Sequence, residues 1–135
     1  MKFIILSISL LWSFQTLTAQ SISGHILELE SYTKWDAVEK EWAGVRKDWE
    51  VQAKKENTAV ISAGLLLSFE SYIKWDAVET SWKKRRDKWV KEVEKAVTNA
   101  QVAALLIELE SNIKWTAVDE KWKGRREAWI SELKK

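Results

Sequence analysis

Apolar positions recur along this chain at two spacings, one inside the other. Within each of three segments, tryptophans fall seven residues apart: Trp35, Trp42 and Trp49, then Trp75, Trp82 and Trp89, then Trp115, Trp122 and Trp129. Val38, Val78 and Val118 each follow the first tryptophan by three. Steps of three, four and seven mark one face of a helix, and sustained they make an a/d stripe of coiled-coil type. The segments themselves recur at a period of 40 residues without insertion or deletion. Aligning Leu27–Val51, Leu67–Lys91 and Ile107–Ser131 leaves nine positions identical in all three copies. In the first copy these are Glu30, Ser31, Lys34, Trp35, Ala37, Val38, Trp42, Arg46 and Trp49. Internal repetition of this quality signals an array of one structural unit.

The pattern predicts an all-α fold. Turn-forming pairs fall at Asn57-Thr58 and Thr98-Asn99, where a threonine or asparagine can cap the following helix. The expected helices are therefore 22–56, 59–97 and 100–134, one for each of the repeats 22–57, 58–98 and 99–135. Short connections make successive helices antiparallel, so the expectation is an up-down-up three-helix bundle. Folding about residues 58 and 98 sets Trp35 level with Trp82 and Trp115, and Trp42 level with Trp75 and Trp122. All nine repeat tryptophans and the three valines are thereby expected in the core. Trp49 and Trp129 would meet Ser68, and Trp89 would meet Glu28 and Glu108. Arg46, Arg86 and Arg126 each sit between two tryptophans of their own copy, suited to stacking on indole. A serine and a carboxylate of the neighbouring helix are expected within their reach.

A second apolar stripe complicates this bundle. Leu29, Phe69 and Leu109 lie on it, with Ile26, Leu66, Leu106, Ile73 and Ile113. On a continuous helix it stands well over 90° from the tryptophan stripe, with Tyr32 and Tyr72 between. A helix apolar on two sides is deeply buried or meets something else. Either the helices rotate so that both stripes share the core, or Leu29, Phe69, Leu109, Ile73 and Ile113 offer a surface to a partner, a second copy or a lipid.

Composition narrows the functions. Ten tryptophans stand among 135 residues, with no cysteine and no proline. Disulfides and thiolate metal sites are thus excluded. Lys plus Arg number 22 against 20 Asp plus Glu, an even balance that provides no field for steering onto nucleic acid. The N-terminus reads as an export signal. Lys2 precedes an apolar run from Phe3 to Phe14, and Leu17-Thr18-Ala19 offers small residues for cleavage. Residues 1–19 are expected to be the signal peptide, with 20–135 a single domain that is extracellular, or periplasmic in a bacterium.

Candidate chemistry is sparse. Basic residues cluster at Arg46-Lys47, Lys83 to Arg86, and Lys123, Arg125 and Arg126. They form either a solvated face balanced by Asp48, Asp87 and Glu127 or a site for a polyanionic sugar. His25, the single histidine, is expected as a surface cap. Gly44, Gly64 and Gly124 fall within helical pattern, where they would allow close packing or bending. No nucleophile triad, paired acid site or phosphate-cradling loop can be assembled, and no catalytic, metal or cofactor residue is assigned. The expectation is a secreted, non-enzymatic interaction or structural module whose partner is a protein or another copy. A lipid-associated amphipathic protein is the first alternative, and a polyanionic glycan or matrix component the second.

Overall fold

A computed structural model describes residues 20–135; the expected signal peptide, residues 1–19, lies outside the described residues. Six α-helices are present and no strand is found among the described residues. They are α1 (Ile22–Tyr32), α2 (Trp42–Ala53), α3 (Ala59–Ser71), α4 (Thr80–Lys95), α5 (Asn99–Ser111) and α6 (Trp122–Leu133). The all-α class stands. One long helix per repeat does not, because each copy is a helical hairpin. The expected reversals do occur near residues 58 and 98. Thr58 caps α3 by accepting from the Ile61 N–H, and Thr98 forms a capping box with Gln101.

The three additional reversals lie at the tips of the hairpins. Lys34 is extended, Trp35–Ala37 make one 3-10 turn, and Val38 is extended again. The same sequence of conformations recurs at Trp75–Ala77 and Trp115–Ala117. No proline, glycine or positive φ marks these breaks among the described residues. Their backbone groups are satisfied instead by neighbouring copies. Lys74 N–H donates to Ala37 O, Lys114 to Ala77 O and Lys34 to Ala117 O, each at 2.9 Å. Glu39 N–H donates to Tyr72 O, Glu79 to Asn112 O and Asp119 to Tyr32 O, each at 2.8 Å. Copy one therefore meets copy two, two meets three, and three returns to one. The result is a closed ring with threefold pseudosymmetry, and all three tips sit at one end.

The tip break also resolves the two apolar stripes. Interrupting the helix resets its phase, so each half turns its own stripe inward. The first helices, α1, α3 and α5, pack on one another. They bury Ile26, Leu66 and Leu106 together with Leu29, Phe69 and Leu109. Those last three, with Ile73 and Ile113, are thus core or packed against it rather than a partner surface. The second helices lie outside. Each packs on the first helix of its own copy and on that of the next.

Within this frame the tryptophans divide by position. Trp42, Trp82 and Trp122 are buried, as are Trp49, Trp89 and Trp129. Each pair meets edge to face inside its own copy, with centroids 5.1 Å apart, an arrangement that the indole quadrupole favours. The indole N–H of Trp49 donates to Leu65 O, that of Trp89 to Leu105 O and that of Trp129 to His25 O. These bonds run to the next copy around the ring, not to Ser68, Glu28 or Glu108. Val38, Val78 and Val118 are buried in the tips, as expected for core, beside Ala37, Ala77 and Ala117. The third set of rings departs from expectation: Trp35, Trp75 and Trp115 are 61%, 51% and 49% exposed. The matched three-tryptophan layers do not form, since these rings lie within the break itself and are largely exposed.

Candidate binding site

Three pockets surround the tips, one per copy. Each begins with a buried carboxylate at the end of a first helix. Glu70 Oε2 accepts from the Trp82 indole N–H at 3.1 Å and from Arg86 Nε at 2.7 Å, while Oε1 accepts from Arg86 Nη2 at 2.8 Å. Glu30 holds Trp42 and Arg46 in the same way. Glu110 accepts from Trp122 Nε1 at 2.9 Å and Arg126 Nε at 2.6 Å. Burial of such a charge is tolerated when it is paired and hydrogen-bonded. These hydrogen bonds to the carboxylates hold the pKa of each guanidinium above its ordinary value, against the opposing effect of burial. The repeated arginines thus find the expected carboxylate, but within their own copy.

The exposed indole closes the other side. In copy two the pocket is lined by Glu39, Glu70, Ser71, Ile73, Trp75, Val78, Trp82 and Arg86, and encloses about 240 Å³. The copy-three pocket, about 220 Å³, has Glu79, Glu110, Ser111, Ile113, Trp115, Val118 and Arg126 in the same places. The copy-one pocket, about 180 Å³, is made by Glu30, Ser31, Thr33, Trp35, Val38, Trp42 and Arg46. Ser71 and Ser111 donate to the carbonyls of Ser68 and Glu108 at 2.7 Å, which leaves their lone pairs to accept. The Lys83 ammonium lies 5.8 Å from the Trp75 ring centroid, and that of Lys123 lies 5.4 Å from Trp115.

The copies are not equivalent in detail. In copy one, Arg46 Nη1 is taken by Glu50 at 3.2 Å; Val90 and Ile130 stand at the matching positions. Ala43 replaces Lys83 and Lys123, and Thr33 replaces Ile73 and Ile113. Glu39 and Glu79 reach the pocket of the following copy, whereas the shorter Asp119 accepts from the Lys121 N–H at 2.9 Å. In copy three, Glu110 Oε1 is buried without a hydrogen-bond partner.

The arginines of the basic cluster are all paired with carboxylates. Arg85 pairs with Glu108 and Glu92, and Arg125 with Glu28 and Glu132. Of these, Arg85–Glu108 and Arg125–Glu28 join neighbouring copies, while Glu92 and Glu132 hold the arginines from within their own copies. His25 is buried, not a surface cap; its Nδ1 lies 2.8 Å from Ser21 O and its Nε2 3.1 Å from Glu132. Among the described residues no cluster of His, Cys, Asp or Glu could hold a metal ion, and no helix is long and apolar enough to cross a membrane.

The pockets were not anticipated from the sequence. Their signal was present in Ser31, Trp35 and their counterparts, identical in every copy at places that the core does not use.

Residues 63–115 match the model of a family described as a domain of unknown function (DUF8799). That stretch runs from within α3 to the third tip, so it holds the whole copy-two pocket except Glu39. No curated protein matches the chain, and no solved structure does.

Proposed function

We infer that this chain is a secreted, non-enzymatic binding module that presents repeated pockets around one end of a rigid ring. The observation carrying this reading is the exposure of Trp35, Trp75 and Trp115. Core packing accounts for the other six repeat tryptophans, and it does not account for these. A large ring held half in water beside a few fixed polar groups has the makings of a recognition surface. The export signal expected over residues 1–19 would place the module outside the cytoplasm.

A bilayer is less well suited as the partner. The tips mix Lys34 and Lys40 with Asp36, Glu39 and Glu41, and Lys74 with Asp76 and Glu79. Anionic lipid attracts clusters of uncompensated basic residues, which these tips lack. Self-association through the second apolar stripe loses its basis, since Leu29, Phe69 and Leu109 are inside.

Stability measurements separate recognition from architecture. Replacing Trp35, Trp75 and Trp115 together by Ala should cost no more than about 1 kcal/mol per ring, because half of each already faces water. Trp82→Ala alone should cost about 3–5 kcal/mol. Urea unfolding of both variants tests the reading. It fails if the exposed-ring variant proves as damaged per ring as Trp82→Ala.

A further inference from the structure

We propose that the pockets of copies two and three each bind one neutral pyranose unit of a carbohydrate, and that the copy-one pocket does not. This rests on the binding-module reading and names its ligand. A pyranose offers an apolar C–H face and a rim of hydroxyls, each both donor and acceptor. Recognition therefore calls for an aromatic platform ringed by fixed donors and acceptors in alternation. Copy two supplies the platform in Trp75. Acceptors stand at Glu39 and at the Ser71 lone pairs, and donors at the Arg86 guanidinium and the Lys83 ammonium. Copy three repeats the set with Trp115, Glu79, Ser111, Arg126 and Lys123. There the partnerless Glu110 Oε1 adds a buried acceptor in the pocket lining. Such an orphaned oxygen is costly unless something donates to it, and a hydroxyl is a suitable donor.

Size and charge agree with this ligand. Cavities of about 240 and 220 Å³ suit one sugar ring and are smaller than the usual drug-sized site. In copy two, Glu70 is neutralised by Arg86, which leaves Glu39 as the one unpaired charge of the pocket lining, with the Lys83 ammonium near the Trp75 ring. A sulfated or uronic chain would meet the Glu39 carboxylate at the rim, which disfavours the polyanionic alternative. Lysine's long stem lets Lys83 and Lys123 leave the indole face when a sugar seats there.

Copy one has lost the features in question. Glu50 occupies the outer edge of Arg46. Ala43 stands where the lysine should be, and Asp119 is turned to its own backbone. The chain is thus bivalent despite its threefold frame. Two sites on one rigid body raise the apparent affinity for a surface bearing many sugar chains.

Calorimetric titration of residues 20–135 with neutral oligosaccharides built of glucose, mannose, galactose or N-acetylglucosamine tests this, with heparin as the polyanionic probe. The expected stoichiometry is two per chain for at least one neutral sugar. Trp75→Ala or Trp115→Ala should reduce it to one, and both together to none, while Trp35→Ala leaves two. Retained thermal stability of these variants shows that binding alone was removed. Three sites per chain, or sites indifferent to Trp75 and Trp115, would overturn the proposal. So would binding of none of the neutral sugars. Heparin bound in a Trp75- and Trp115-dependent way overturns the neutral-sugar assignment and leaves the binding-module reading standing.

Discussion

Glu70 and its counterparts Glu30 and Glu110 set the tertiary geometry at the scale of single residues. Each buried carboxylate receives an indole N–H from the start of the second helix and a guanidinium one turn later. One side chain thereby fixes the angle between the two arms of a hairpin and the position of the arginine in the pocket. Removing it strands a buried Trp82 N–H and unpairs Arg86. Glu70→Ala should therefore cost about 3 kcal/mol, since orphaning a buried ionic partner is far more expensive than losing a surface pair. Glu70→Gln keeps an acceptor for one donor and should cost about half as much. Urea denaturation of both variants measures this; losses of a few tenths of a kcal/mol in both would show that the carboxylate is a bystander. Ser31, Ser71 and Ser111 had been expected near the arginines of another helix. They line the same pockets as Arg46, Arg86 and Arg126 instead, because the hairpin folds each copy back upon itself.

The helical element is where the sequence was only partly legible. Helix caps at Thr58 and Thr98 could be read locally, as could the repeat, the helical class and the burial of six tryptophans. The break at residues 33–41 could not, because nothing in Lys34 to Glu41 stops a helix by itself. Hydrogen bonds to other copies hold it open, and those depend on ring closure. One local sign did exist: two apolar stripes more than 90° apart cannot both face one core along a continuous helix. The change of stripe between Leu29 and Trp42 marks the change of element. Gly44, Gly64 and Gly124 were expected to permit close approach, but a Cβ at each would meet nothing within 4 Å. All three lie in helices with negative φ. Alanine there should stabilise the fold by about 0.5–1 kcal/mol per site, by restricting the unfolded chain and raising helix propensity. Thermal unfolding of Gly44→Ala and Gly124→Ala checks this, and a lowered midpoint would mean that those helices need the freedom of glycine.

At the scale of the whole molecule, the ring is fastened unequally at its three seams. Arg85 with Glu108 and Glu92 fastens copy two to copy three, and Arg125 with Glu28 and Glu132 fastens three to one. Burial works to raise the Glu28 pKa, but the hydrogen bonds of Arg125 and Gln20 and the Arg125 charge outweigh it and lower the pKa below 4.5. Glu92 and Glu132 are lowered chiefly by their hydrogen bonds from Arg85 and Arg125. A carboxylate whose pKa falls on folding lends its stability above the unfolded value, and loses it as pH drops through the folded value. Acid should thus loosen these two seams below about pH 4.5, and Glu28→Gln should flatten the fall in urea midpoint over that range. An unchanged slope would show that Glu28 is not part of the fastening.

The seam between copies one and two has no such pair, because Val45 and Ser68 stand where the others carry arginine and glutamate, and Gln52 stands in place of the second acid. Val45 is left partly exposed. A ring has no end repeats to cap, so its weakest joint is the place where it opens. Rebuilding that joint as Val45→Arg with Ser68→Glu should raise stability by about 0.5–1 kcal/mol, the range of a well-formed partly exposed pair. In a chain of this size that corresponds to roughly 2–5 °C in Tm. The gain should exceed the sum of the two single changes, since neither new charge finds its partner alone. Adding Gln52→Glu completes the network found at the other seams and should add to the coupling. A double-mutant cycle by thermal unfolding decides the matter. No coupling between positions 45 and 68 would mean that the two sites do not meet across the seam as their counterparts do, and that the threefold correspondence fails at this joint.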